Sequence, residues 1–503
     1  MAKFMGVLCL LLLGLLVSTS YQQSTSSNYS INCEEEDPHD VNVMRRAKLR
    51  EMMKHAWSSY VQYAWGENEL RPVSKRAHKS GIFGNSQLGA TIVDGLSTLY
   101  IMGLTEQFQQ GRDWVDKNLD VNNVIKDVSV FETTTRLVGG LLSSYALTGD
   151  IMFRDKAAQL AEKLLPAFET NTGVPHAIVN VNTGYGKNYG WVAGACSILS
   201  ELGGLHLEFS YLSDVTENPV FRAKVDHIIS VLQTMERPQG LYSNFINPNT
   251  GKWCQNHTSI GAMGDAFYEY LLKGWLQSDR EDIKLRQMFD DAMVHIIHYL
   301  LRTSRGGLSY FGQLKYGRLE PAMDQTACFS GGLLGLAGWT LKNNMTIRYL
   351  EIAEAITNTC RESYQRTELK LGPQVFRFSD SVEAKAIKGF EKNYNLRPEI
   401  IDSYFNLWRI TKDKKYRDWG WEIVQALEKE CRVDGGYTGL TNVYGNNFSK
   451  DDDQQTFLLG GTLKYLYMLY SDDCLLPLDE WVFNTAGHPL PIKNMNALYR
   501  EMV

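Results

Sequence analysis

Apolar positions recur along much of the chain at the three-to-four spacing of amphipathic helices, and three such stretches end on one shared turn. "YALTGDIMFR" ends at Arg154, "YLSDVTENPVFR" at Arg222 and "WRITKDKKYR" at Arg417. Each closes as Thr-x-Asp/Asn-x-x-aromatic-Arg. The acidic or amide residue suits a helix cap or tight turn, and the aromatic begins the next buried face. Thr148, Thr216 and Thr411 therefore mark equivalent turns, with weaker ones near Thr105, Ser278, Asn344 and Ser471. Most marks fall roughly 60–70 residues apart, which predicts repeated units of two helices and a loop, about seven over residues 40–503. An open stack of such hairpins would need capping ends, whereas a closed ring would enclose an axial pocket. The ring is preferred because some helix faces are polar where a pocket would need them.

The clearest such face is in "VFETTTRLVGGLLSSYALTGD", which begins at Val130. On a helical wheel Leu137, Val138, Leu141, Leu142 and Tyr145 share one side, and Glu132, Arg136, Gly139, Gly140 and Ser143 the other. An exposed i,i+4 ion pair would explain the two charges; small residues after them would leave room for a ligand. "LRPEIIDSYFNLWR" repeats the theme. Pro398 suits the first helical position, placing Arg397 just outside. Glu399, Asp402, Ser403 and Asn406 then share one face, although carboxylates in a first turn also suit the helix dipole. Asp265 in "GAMGDAFYEYLLKGWL" opens a helix, as a cap or as a site residue. Glu208, inside "LGGLHLEFSYLS", is costly to bury without an ion-pair partner or a ligand.

Composition narrows the classes. The 503 residues are 44% hydrophobic, enough for a large core, and the net charge of −6 comes without a long basic run. Nucleic acid and anionic membranes are thereby disfavoured as main partners. "MAKFMGVLCLLLLGLLVSTS" reads as a signal peptide or short anchor over residues 1–20, so membrane attachment requires that segment to stay uncleaved. Residues 21–40 read as a linker, 41–495 as one domain and 496–503 as a tail. Seven cysteines follow the leader, an odd number without C-x-x-C spacing, which leaves room for one or two structural bridges in an oxidising lumen. Sequons at Asn28, Asn256, Asn344 and Asn447 also fit the secretory pathway. Isolated carboxylates on different helices around one pocket suit glycoside hydrolysis, which needs a protonated acid at the leaving oxygen and a base or nucleophile opposite.

From about Arg46 to Ile492 the chain resembles the class I α-1,2-mannosidases of glycoside hydrolase family 47. The blocks that carry the likeness include "GATIVDGLSTLYIMGL", "VFETTTRLVGGLLSSY", "LHLEFSYLS", "GDAFYEYLLKGWL", "CRESYQR", "LRPEIIDSYFNLWR", "TLKYLYMLYSDD" and "VFNTAGHPLPI". The wording is most similar to the animal Golgi members. The resemblance implies an all-α (αα)7 barrel, a monomer, and removal of terminal α-1,2-linked mannose from high-mannose N-glycans, with inversion, in the Golgi or ER lumen. It implies Glu132 as general acid acting through water, with Asp265 and Glu399 as the other catalytic carboxylates and Glu399 as base. Arg136, Glu208, Arg397, Asp402 and Phe457 match positions around the terminal mannose. Thr485 matches the residue that holds Ca2+, and Cys328 and Cys360 match a structural disulfide.

Some positions depart from the family's pattern. Gly461 and Ala486 stand where glutamates flank the calcium site, Gln325 where a pocket histidine is usual, Ser97 where aspartate is usual, and Asp402 where glutamate is usual. Fewer carboxylates around the ion imply weaker calcium binding and lower turnover. The alternative function is a mannose-binding lectin of glycoprotein quality control with little catalysis.

Overall fold

The shared turns are built alike. The hydroxyls of Thr148, Thr216 and Thr411 donate to the carbonyls of Ser144, Leu212 and Leu407, four residues back, at 2.6–2.7 Å. The side chains of Asp150, Asn218 and Asp413 then accept from the backbone N–H two residues on, at 3.0–3.2 Å. Threonine ends one helix and the next polar residue starts its partner. The weak mark near Asn344 works through its neighbour, since Asn343 accepts from the Met345 N–H at 2.9 Å.

The computed structural model describes residues 40–79, 82–83, 87–120, 126–445 and 449–500. The expected leader, nearly all of the linker, and the Asn28 and Asn447 sequons lie outside them. Asn256 and Asn344 are exposed. The helices are α1 (Val41–Ala64), α2 (Ala90–Ile101), α3 (Thr105–Asn118), α4 (130–148), α5 (Ile151–Leu164), α6 (His206–Thr216) and α7 (Val220–Thr234). There follow α8 (Asp265–Gln277), α9 (Ile283–Leu300), α10 (Phe329–Leu341), α11 (Thr346–Gln365), α12 (Glu399–Thr411), α13 (Lys415–Ala426) and α14 (Leu463–Leu469).

Consecutive helices pack as hairpins from α2–α3 through α12–α13, and the seventh pair joins α1 to α14 across the two ends of the domain. The inner helices α8 and α14 are buried nearly all round. An outer helix such as α7 buries only a stripe, Phe221, Val225, Ile228, Ile229 and Leu232. Inner helices touch inner neighbours, α2 with α4 and α14, and α12 with α10 and α14. This is the expected all-α (αα)7 ring, with its seventh unit split between the chain's ends.

The connections carry short strands that the helical pattern does not announce. One hairpin pairs β1 (Glu69–Arg71) with β2 (Arg76–His78). Another pairs β3 (Trp481–Phe483) with β4 (Pro489–Pro491). The second fills the ring's interior. Phe483 stacks edge-on with Phe405 of α12, Asn484 meets Glu208 of α6, and His488 meets Asp94 of α2. Packing continues past residue 495, where a tail is expected from sequence: the Tyr499 hydroxyl donates to Asp214 at 2.6 Å and Arg500 to the Ala146 carbonyl.

Helix α4 is not the uninterrupted wheel read from its sequence. A π-helical segment, Thr133–Val138, separates Val130–Glu132 from Gly139–Thr148. The extra residue in that turn breaks the 100° count. The glycines consequently face protein rather than ligand. A Cβ on Gly139 would lie 2.5 Å from Asn484 Nδ2, and one on Gly140 2.8 Å from the Val93 carbonyl oxygen. Cys328 at the start of α10 is bonded to Cys360 of α11, as the resemblance implies. A further disulfide joins Cys196 to Cys254, Cys474 is also disulfide-bonded, and Cys431 is a buried thiol.

Candidate active site

Polar residues of the inner helices meet around a cavity of about 170 Å³. A cavity of about 150 Å³ admits a ring the size of benzene, so this one is on the scale of a single six-membered ring. Glu132 and Arg136 enter it from the π-interrupted part of α4. Arg136 Nε donates to Glu132 Oε2 at 2.6 Å, and Arg136 Nη1 lies 3.7 Å from Asp94 Oδ2. The guanidinium also sits over the Phe457 ring, 5.2 Å from its centroid. Burial alone would lower the arginine pKa; the Glu132 and Asp94 carboxylates outweigh it and raise the pKa instead. Asp94 is held in turn by His488 Nε2 at 2.8 Å. The Glu132–Arg136 pair therefore belongs to a cavity wall, not to a solvated surface.

Asp265 is the first residue of α8, with Gly264 in the cap position and no side-chain cap bond, so the capping role left open by the sequence does not hold. Burial, reinforced by the Asp324, Glu269 and Glu399 carboxylates, pushes its pKa up to about 8. Glu399 is the first residue of α12. Pro398 occupies the cap rather than the first helical position, which starts the helix one residue later than expected. Arg397 Nη1 donates to Glu399 Oε1 at 2.9 Å, while its Nε donates to Gln374. Asp402, one turn inward, accepts from Asn406 Nδ2 at 2.8 Å, and burial raises its pKa to about 7.

Thr485 lies in the turn of the β3–β4 hairpin, half-buried between buried Asn484 and Ala486, and faces the same cavity. Eight of the nine expected catalytic, sugar-contacting and metal residues line that cavity; Glu208 is the exception. It sits behind the wall, fully buried, with Oε1 accepting from the Tyr270 hydroxyl at 2.8 Å and Asn484 Nδ2 at 2.7 Å. Those neutral donors replace the ion pair that its sequence position suggests. Burial raises its pKa to about 7, and its Oε2 has no hydrogen-bond partner.

The family departures divide in the same way. Ala486 lines the cavity and Gly461 lies beside it, with a virtual Cβ 3.6 Å from the Ala486 carbonyl oxygen. Gln325 is not a wall residue: it is buried behind Thr326, its amide oxygen accepting from the Tyr364 hydroxyl. Ser97 is buried in α2, 3.1 Å from His488 Nδ1. Lys464, close to the same ring, donates to the Gly487 carbonyl, and burial lowers its pKa to about 7.

Sequence reasoning missed Glu269, Asp94 and Tyr465. Glu269 follows Asp265 by one helical turn, a spacing that could have revealed it, and accepts from Lys273 Nζ at 2.5 Å. Asp94 is a charge within the apolar run of α2. Among the described residues, two groups could hold a divalent cation by geometry: Glu69, His78 and Asp453, and His206, Asp226 and Asp282. Neither includes Thr485.

Comparison with known proteins places this arrangement. The model of the family described as Glycosyl hydrolase family 47 matches residues 52–492. Mannosyl-oligosaccharide alpha-1,2-mannosidase IA of Drosophila melanogaster is 58% identical over 457 residues, 91% of this chain and 68% of that protein. Mannosyl-oligosaccharide 1,2-alpha-mannosidase IB of Homo sapiens is 52% identical over 460 residues, covering 91% and 72%. The solved alpha-1,2-mannosidase from Trichoderma reesei superposes with a TM-score of 0.81 at 26% identity, over 90% of this chain and 99% of its own. With likeness in sequence running through every inner helix and likeness in backbone across nearly the whole relative, the chain belongs to glycosyl hydrolase family 47.

Proposed function

We propose that the chain is an inverting α-1,2-mannosidase that trims terminal mannose from high-mannose N-glycans in the lumen of the secretory pathway. The observation that carries this reading is the meeting of Glu132, Asp265 and Glu399 around one cavity of monosaccharide size. Inversion needs an ionised base on one side of the ring and a proton on the other. Arg397 Nη1 donates to Glu399 Oε1 and holds the carboxylate on the cavity wall, where a base must stand. Phe457 offers an apolar face to the sugar, and Arg136 fixes Glu132 while facing the cavity.

The proton has two candidate carriers. The family resemblance gives Glu132, through water. Burial favours Asp265, whose pKa is pushed up to about 8, so that it holds a proton at neutral pH. The two are compatible if Asp265 holds the proton and Glu132 orders the water.

The same reading places Ca2+ at Thr485. The residues present fit a hard cation: the donors are oxygen, and Glu208, linked to Thr485 through the Tyr270 hydroxyl, keeps one buried carboxylate oxygen unpartnered. The Thr485 hydroxyl and carbonyl would hold the ion, with Glu208, Glu269 and Asp402 around it. When bound, it would supply a site for sugar hydroxyls. The leader-like residues 1–20, the exposed sequons at Asn256 and Asn344 and the disulfides support the lumenal setting.

Mannose release from a high-mannose glycan, with and without chelator, tests the reading. Chelator-sensitive release with inverted product is expected; binding without release would favour the lectin. Glu399→Gln should lower kcat by about 10²–10⁴-fold. Asp265→Asn should lower kcat and abolish the rate loss above about pH 8 that deprotonation of Asp265 causes in the parent enzyme. A basic limb unchanged in Asp265→Asn would return the proton to Glu132.

A further inference from the structure

We propose a second metal site, separate from Thr485, in which Glu69, His78 and Asp453 bind a divalent transition metal of the zinc class. Two chain segments far apart in sequence converge there. Glu69 opens β1 and His78 closes β2, and the antiparallel register sets them directly opposite. Asp453 comes from near the other end of the domain, on a segment whose next residue, Gln454, donates its N–H to the Leu70 carbonyl as a third strand would. His78 Nδ1 lies 3.1 Å from Asp453 Oδ1 and 3.6 Å from Glu69 Oε2. Metal bonds of about 2.0–2.2 Å at tetrahedral angles put ligand atoms roughly 3.3–3.6 Å apart. All three ligand atoms lie within 4.8 Å of one another, so one ion fits once they draw in around it.

A buried histidine hydrogen-bonded to Asp453 would account for two of these residues. It does not account for Glu69. That side chain is 1% exposed, and neither carboxylate oxygen has a hydrogen-bond partner. A carboxyl buried without hydrogen-bond donors is costly; its ion-pair contact is the 3.6 Å approach to His78 Nδ1, an atom that Asp453 already bonds, and a metal ion among the three would be ligated by Glu69 directly. One imidazole nitrogen with two carboxylate oxygens suits Zn2+, and Co2+ or Mn2+ after it, better than the all-oxygen preference of Ca2+. Asp453, 18% exposed, leaves a route for the ion and a coordinated water, and Gln455 Nε2 donates to its outer oxygen and fixes its orientation.

The test uses the full chain, stripped by chelation, saturated with Ca2+ and then titrated with Zn2+. One tightly bound zinc per chain is expected, retained in Thr485→Ala and in Asp226→Asn, and weakened by more than about 100-fold in His78→Ala. Co2+ added to the parent protein should show ligand-field bands of a low-coordinate nitrogen–oxygen site, a readout that needs no variant. Zinc bound equally by His78→Ala and the parent would overturn the proposal, as would loss in Asp226→Asn alone or a Co2+ spectrum no different from the aqua ion.

Discussion

Gly139 shows how tightly single residues set the site. Its α-carbon packs against Asn484, whose amide donates to both the Thr135 carbonyl and Glu208. A methyl group there would meet Asn484 Nδ2 at 2.5 Å and push apart the hairpin that bears Thr485 and the helix that bears Glu132. Gly139→Ala should therefore destabilise the fold by about 1–3 kcal/mol and weaken calcium retention, which melting with and without the ion would register. Gly111, on an outer helix, is the control: its added carbon approaches the Leu96, Trp57 and Ile92 side chains no closer than 3.0 Å, so its cost should be smaller and independent of calcium. Equal, calcium-independent losses at both would detach Gly139 from the site. At this scale the polar wall residues are legible in the sequence, because a charge on an otherwise apolar inner helix is costly unless it meets a partner or a ligand. The deeper partners are less so. Glu208 stands out as anomalous, but its bonds to Tyr270 and Asn484 join three separate elements, which no local pattern reveals.

The β3–β4 hairpin is the element that turns a ring into a site. It enters among the inner helices, fixes Asp94 through His488, and presents Thr485 and Ala486 to the cavity. Its strands are three residues each, too short to stand out by alternation, and only the family resemblance points to Thr485. The π-helical segment of α4 escapes a reading of the sequence in a similar way. A turn one residue wider leaves the apolar content unchanged and alters only which residues share a face. Within the hairpin itself, Ala486 supplies no carboxylate next to Thr485. Ala486→Glu should tighten calcium binding by about tenfold or more through added negative charge and water-anchoring oxygens. Calorimetric titration reads this directly, and an unchanged or weaker affinity would show that the remaining carboxylates already satisfy the ion.

At the scale of the molecule, the count of turns anticipates a seven-unit ring, but not that α1 and α14 make one unit from opposite ends. Ring closure is a long-range contact, and the turn pattern records only neighbours in sequence. What the closed ring does create is a common interior in which several acids lose water together. Burial raises Asp265, Glu69 and Glu201 to about 8 and Glu208 and Asp402 to about 7. In the unfolded chain these groups titrate near about 4. The folded state thus binds protons that the unfolded state does not, and this contribution to stability is full below about pH 4 and lost as pH rises through 7 and 8. Lys464 has the opposite sign: its pKa, lowered to about 7, gives stability that is present above its unfolded value and lost as pH falls through 7. Five acids oppose one base, so in chelator the denaturation midpoint should fall as pH rises from about 6.5 to 8, with each net proton worth about 1.4 kcal/mol per pH unit. Calcium demands ionised carboxylates and competes with those protons. Its addition should flatten or reverse the slope, and a chelated protein that grows more stable over the same interval would mean that these acids are not held neutral inside the ring.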